Sequence, residues 1–332
     1  MNAAEALAEI DAARGPAELF GADAAEAERT YRRLARVLHP DAPGGDAAGF
    51  VRLGDLWRAY RGARTITTSR RAYRLGPPVA RGDLAVLYAA PADDGTDAVL
   101  KMPRDPADSD LLEREAAALR RLAERGDPRY LPYVPRLVES FRHRDAATGA
   151  ERRVNALNRL DGFVSLADVR TAYPAGLDAR DAAWMWRRLL VALGFAHRAG
   201  VVHGAVLPEH VMIHPAEHGV VLVDWCYSAL DGDRVPALVA RYADRYPPEV
   251  TGKRPAVPAT DVHLATLCMT DLMGDRAPAE LARFARGCTL PSPAARPGDA
   301  WALLGELDEL LERLYGPRRF RPFTMPPAKE NP

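Results

Sequence analysis

The chain reads as an α+β protein: a small all-α helical hairpin first, then a bilobal body with a sheet-rich lobe followed by a helical one. Three observations predict this. Ala24 to Leu38 has helical spacing, is stopped by Pro40, and is followed by a second helical stretch. Short apolar runs, Leu84 to Ala90 and Ala98 to Met102, flank the turn residues Asp93-Asp94-Gly95 and read as antiparallel strands. From Leu111 onward long helical patterns dominate, and strands first with helices afterwards favour segregated α+β lobes.

Size and composition set the frame. The 332 residues (36.2 kDa) leave room for two domains, and 48% hydrophobic with 27% charged residues are ordinary globular values. Forty-five basic residues balance forty-five acidic ones, so global charge points to neither nucleic acid nor an anionic membrane. Uncharged runs such as Ala199 to Pro208 fall far short of the ~20 residues that span a bilayer. Glu5, Glu9 and Asp11 stand where a secretory signal would be basic. Cys226, Cys268 and Cys288 form no CxxC pair and no metal-ligand spacing, so a reduced, cytoplasmic location is expected. All but Lys101, Lys253 and Lys329 of the basic residues are arginine, so a lysine here is kept either by accident or where a guanidinium does not serve.

Composition divides the chain into a head (16–63), a polar linker (64–72), a body (73–316) and a proline-rich tail (317–332). In the head, Ala27, Tyr31, Leu34 and Leu38 share one stripe, with Arg29, Arg32, Arg33 and Arg36 opposite. Asp41, Ala42, Pro43, Gly44 and Gly45 make the turn, and Phe50, Leu53, Leu56 or Trp57, and Tyr60 give the second helix an apolar face. The order Leu19-Phe20-Gly21, Tyr31-Arg32-Arg33-Leu34-Ala35, His39-Pro40-Asp41, then Phe50, Leu53 and Trp57 resembles a J-domain of DnaJ-type co-chaperones. The resemblance implies docking on a DnaK-type chaperone through Arg32, Arg33, Arg36, His39, Pro40 and Asp41. The plain alternative makes the tripeptide a helix stop and the arginines a solvated face.

In the body, Leu111 to Leu122 and Ala182 to Ala199 are helices, and Val220 to Val223 is a buried strand ending at Asp224. The succession of landmarks resembles the eukaryotic-type protein kinases over residues 73–316. Gly76 and Gly82 lie where that family has its phosphate loop, though the full glycine pattern is absent. Lys101 matches its strand lysine, and Glu115 the helix glutamate that holds it. Val202-His203 opens the catalytic loop, and Asp224-Trp225-Cys226 replaces Asp-Phe-Gly. Pro247-Pro248-Glu249, Asp261 and Arg296-Pro297 match later landmarks that hold the helical lobe together. The resemblance implies ATP on Gly76, Gly82, Lys101, Glu115 and Asp224, with adenine near Leu157 to Leu160 and Mg²⁺ on Asp224.

The catalytic loop departs from the family. His203-Gly204-Ala205-Val206-Leu207-Pro208-Glu209-His210 stands where the family has His-Arg-Asp-Leu-Lys-Pro-Glu-Asn. Ala205 cannot accept a proton, Leu207 cannot neutralise a phosphoryl group, and the imidazole of His210 is a poor Mg²⁺ ligand. Such losses cost ~10²–10⁴ in rate for the base and ~10²–10³ for one electrostatic donor. Gly204 removes the arginine that pairs with a phosphorylated loop, and no Ser or Thr lies between Ala229 and Val250. Asp224-Trp225 and His203-Gly204 also resemble aminoglycoside and choline phosphotransferases, which keep the two residues that Ala205 and His210 replace.

The expectation is an ATP-binding pseudokinase with a J-domain, an adaptor that delivers an unknown client protein to a DnaK-type chaperone. One alternative is an active atypical kinase or phosphotransferase using Glu209 or Asp224 as base; another is a scaffold that binds no nucleotide. Arg318-Arg319-Phe320-Arg321-Pro322-Phe323 is expected to fold back on its own domain or stay solvated.

Overall fold

Four helices open the chain: α1 (Ala3–Ala12), α2 (Pro16–Phe20), α3 (Ala24–Leu38) and α4 (Ala47–Ala63). The computed structural model describes residues 1–21, 24–63, 65–145 and 149–326. These fall into two compact units, Met1–Pro106 with Phe141–Arg159, and Ala107–Ser140 with Leu160–Pro332.

In the first unit the predicted stripes face each other. Ala27, Leu34 and Leu38 of α3 meet Leu53 and Tyr60 of α4, with Phe20 of α2 against them. Residues before Pro16 carry no tertiary signal in the sequence, yet α1 closes this core with Ala6 and Ile10. Its start is set by a capping box in which Asn2 and Glu5 satisfy each other's backbone amides. The head therefore extends to the beginning of α1, beyond the predicted bound at residue 16. Residues 64–72 also depart from expectation. β1 (Thr65–Thr67) pairs antiparallel with β2 (Ala72–Arg74), a hairpin rather than a linker, with Ile66 and Tyr73 buried. Arg64 lies outside the described residues.

Five antiparallel strands complete this unit: β3 (Pro78–Arg81), β4 (Ala85–Ala89), β5 (Ala98–Pro103), β6 (Leu137–Arg144) and β7 (Glu151–Asn158), in spatial order β3-β4-β5-β7-β6. Central β5 is buried along its whole length, as an uninterrupted apolar run around Lys101 predicts.

The second unit is largely helical. α5 (Ser109–Arg125) and α7 (Ala179–Arg198) form where their spacing predicts. Asp178 caps α7 through the Arg180 amide, and Gly126 ends α5 where a Cβ would collide with Phe195 and the Leu122 carbonyl. Between them lie β8 (Val164–Ser165) and α6 (Leu166–Ala172), and after them β9 (Val201–Val202), β10 (Val211–His214), β11 (Gly219–Leu222) and β12 (Ala229–Leu230). β10 pairs with β11 and β8, and β9 with β12. α8 (Pro248–Thr251), α9 (Pro258–Met273), α10 (Ala279–Cys288) and α11 (Ala300–Tyr315) finish the unit. Beyond Gly316 the described tail has no regular structure, and it folds back on this unit as expected. Phe323 is buried near Tyr173 and Trp184, Tyr173 donates to the Thr324 carbonyl at 2.8 Å, and Arg321 meets Asp181 at 3.0 Å. No helix among the described residues is long and apolar enough to cross a membrane.

Candidate functional site

The loop leaving β9 is fixed from below by Asp261, in the first turn of α9. Its buried carboxylate accepts the His203 amide at 2.7 Å and the Gly204 amide at 2.8 Å, and meets His197 Nε2 at 2.9 Å. Gly204 has φ +77° and sits so close to Tyr227 that a Cβ would lie 2.5 Å from that carbonyl. The backbone thus explains why no arginine stands at 204. His203 donates from Nε2 to the Val223 carbonyl at 2.9 Å and sets its ring edge-on to Trp225. Burial pushes its pKa down to about 4, so the ring is neutral at physiological pH and serves as a structural post.

The altered positions are sealed into this frame. Ala205 is fully buried, and its carbonyl accepts from His210 Nδ1 at 2.8 Å. Leu207 points into the core, 1% exposed, where a lysine would have no water. Glu209, an alternative base in the sequence, is already engaged: Tyr242 donates to its carboxylate at 2.8 Å, and Arg241 lies 3.1 Å away. Burial and then Glu209 push the Tyr242 phenol up to about 12. Its carboxylate is thus committed to holding Tyr242 and Arg241, which counts against that role.

Asp224 follows β11 in a left-handed conformation (φ 64°, ψ 62°), sparsely populated for a non-glycine residue. Its Oδ2 lies 3.4 Å from His210 Nε2. Glu115 of α5 is fully buried, whereas Glu113 is exposed. Ligand atoms of Glu115, Asp224 and Cys226 all lie within 4.8 Å of one another. Nothing in the sequence hinted that Cys226 joins such a cluster, because Glu115 reaches it from a distant segment. Two further contacts were equally invisible. Arg114 donates to the Ser228 carbonyl at 3.2 Å, and Arg121 pairs with Asp231 at 2.5 Å, tying α5 to the segment after Asp224.

The remaining landmarks of this unit are structural. Arg296 and Glu249 form a buried ion pair, and Glu249 also accepts from Thr260 at 2.9 Å.

In the first unit, Lys101 is 3% exposed in the middle of β5, opposite Leu87 on β4 and Asn155 on β7. Gly82 starts the turn between β3 and β4, its amide donating to Ala85 at 2.9 Å. Gly76 lies at the other end of that hairpin, its amide bonded to the Ala89 carbonyl at 2.7 Å. It is therefore not part of the turn, a correction to its expected role beside phosphate, and the turn itself holds one glycine.

His39, Pro40 and Asp41 occupy the turn between α3 and α4. Gly45 fits under the His39 carbonyl with no room for a Cβ. Arg36, His39 and Asp41 line a shallow groove of about 540 Å³ with Tyr31, Arg32 and Phe50. Arg33 does not share it. Its guanidinium grips Glu9 of α1 at 2.9 and 2.5 Å, so this arginine staples the head internally, a correction to its expected place on a docking face. Arg32 pairs with Glu28 at 2.6 Å along the helix.

Mg²⁺, expected on Asp224, takes oxygen ligands. Beside Asp224 the structure offers the carboxylate of Glu115, an imidazole nitrogen and a thiol, so the two carboxylates are the donors that suit it.

No family model matches the chain. An 81-residue stretch is 40% identical to casein kinase II subunit alpha' of Saccharomyces cerevisiae, covering 24% of this chain and 23% of that protein. The chain thus spans under a quarter of the length of the curated relative it matches. The crystal structure of the BubR1 kinase domain superposes with a TM-score of 0.57 over 75% of this chain and 83% of that one, at 13% identity. By that likeness and its strand order, the chain carries a protein-kinase-like α+β fold.

Proposed function

We propose that the chain binds a nucleotide without transferring its phosphoryl group, and that its helical head brings a protein held by the kinase-like part to a DnaK-type chaperone. Ala205 carries the first half: at the position of the proton acceptor stands a buried methyl group, and nearby Glu209 is tied to Tyr242 and Arg241. Lys101, held rigidly on the central strand, would give its ammonium to nucleotide phosphates. The second half is supported by His39-Pro40-Asp41 at the α3–α4 turn, beside Arg36 in an open groove, a positive and shaped surface suited to an acidic partner.

Two measurements test it. ATP at ~100 times its dissociation constant is expected to raise stability by about 2.7 kcal/mol in thermal unfolding, and much less in Lys101→Ala. The full chain is expected to accelerate single-turnover ATP hydrolysis by a DnaK-type chaperone, and His39→Gln to abolish that. Unchanged hydrolysis rates with both proteins defeat the co-chaperone half.

A further inference from the structure

Two of the departures from the kinase pattern, His210 and Cys226, converge on Asp224, the acid that follows β11. His210 Nε2 lies 3.4 Å from Asp224 Oδ2, and the Cys226 sulfur lies within 4.8 Å of ligand atoms of both Asp224 and Glu115. The four side chains come from α5, the loop after β9, and the short turn after β11, all within the second unit. We propose that Glu115, His210, Asp224 and Cys226 form a binding site for one borderline transition-metal ion of the Zn²⁺ class.

The chemistry of the donors selects the ion. One nitrogen, one sulfur and carboxylate oxygens suit four-coordinate Zn²⁺ or Co²⁺, whereas Mg²⁺ and Ca²⁺ take oxygen almost exclusively. Bond lengths of roughly 2.0–2.3 Å put tetrahedral donors about 3.3–3.8 Å apart. His210 and Asp224 already stand at that separation, Glu115, Asp224 and Cys226 need to close on one another by about 1 Å, and His210 joins that cluster through Asp224. The imidazole is also held in orientation by the backbone. His210 Nδ1 donates to the Ala205 carbonyl at 2.8 Å, which leaves Nε2, the nitrogen facing Asp224, with its lone pair for a metal. On binding, the Cys226 thiol releases its proton to solvent and coordinates as thiolate.

Co²⁺ added to the full chain without nucleotide is the direct probe. The expected result is one equivalent bound, with a thiolate-to-cobalt band in the near ultraviolet and visible bands of a tetrahedral site, all displaced by Zn²⁺. Cys226→Ser is expected to remove the thiolate band, and His210→Asn to weaken Zn²⁺ binding by about tenfold to a hundredfold. Cys268→Ser and Cys288→Ser are expected to leave both unchanged, since neither sulfur belongs to the cluster around Asp224. Absence of the band in the wild-type chain, its survival in Cys226→Ser, or undiminished Zn²⁺ affinity in His210→Asn overturns the proposal. Should Cys226→Ser fail to fold, the His210→Asn affinity decides alone. The site does not rest on the nucleotide proposal. An ATP shift in chelator with no cobalt band defeats the metal site only, and a band without an ATP shift defeats nucleotide binding only.

Discussion

His210 holds its Nε2 3.4 Å from Oδ2 of Asp224, with its other ring nitrogen bonded to the carbonyl of Ala205. The three positions that distinguish this loop are thus coupled. The imidazole bridges the backbone of the loop after β9 and the acid that follows β11.

The buried pair between Arg296 and Glu249 anchors the helical unit. Removing one partner leaves a charge in the core, so Arg296→Ala is expected to lower stability by about 3–5 kcal/mol. The urea midpoint, read by circular dichroism, measures it.

His203 makes stability depend on pH. Its folded pKa of about 4 lies below the ordinary value of 6.5, so the unfolded chain takes up the proton first. The stabilisation is complete above pH 6.5 and is lost as pH falls through that value toward 4. Between pH 7.5 and pH 5 this one group is expected to cost about 2 kcal/mol. Urea unfolding at both pH values, with His203→Asn as reference, isolates it: the variant is expected to lose less.

Two glycines in the head give opposite outcomes. Gly45→Ala drives a methyl into the His39 carbonyl and must open the turn, whereas Gly54, within α4, has open space around its Cα. Gly54→Ala is expected to stabilise by about 0.5–1 kcal/mol, and Gly45→Ala to destabilise and to impair any activity that depends on His39. Thermal unfolding of both variants supplies the comparison.

Phe323 fastens the tail, 5% exposed beside Tyr173 and Trp184. Phe323→Ala is expected to cost about 3 kcal/mol. Arg321→Ala, which removes a partly exposed ion pair with Asp181, is expected to cost about 1 kcal/mol or less. Equal effects would mean that charge rather than packing holds the tail.

Much of this architecture was legible because it rests on local periodicity and on sharp stops. The bounds of α3 follow from its apolar stripe and Pro40, and β5 from an apolar run that tolerates one lysine. The strand that ends at Asp224 was legible as an apolar run, and the burial of Glu115 from its spacing to Leu119 and Leu122. What stayed hidden depends on partners distant in sequence. Ile66 and Tyr73 were too few to mark a hairpin in a polar stretch. Arg33 looks like its neighbours until Glu9 arrives from α1, whose Asn2–Glu5 capping box was the one available signal for that helix. Gly76 was placed by family order, although its amide is used at the base of a hairpin. Cys226 and Tyr242 acquire meaning only when the fold carries Glu115 and Glu209 to them.

Phosphoryl transfer is the most direct test of the central claim. The purified chain is incubated with terminally labelled ATP, divalent cations including Mg²⁺ and Mn²⁺, and a mixed protein substrate. With a methyl at 205 and Glu209 tied to Tyr242, label in protein is expected to stay at the level of a Lys101→Ala control. Incorporation well above that control, abolished by Lys101→Ala, would contradict the account.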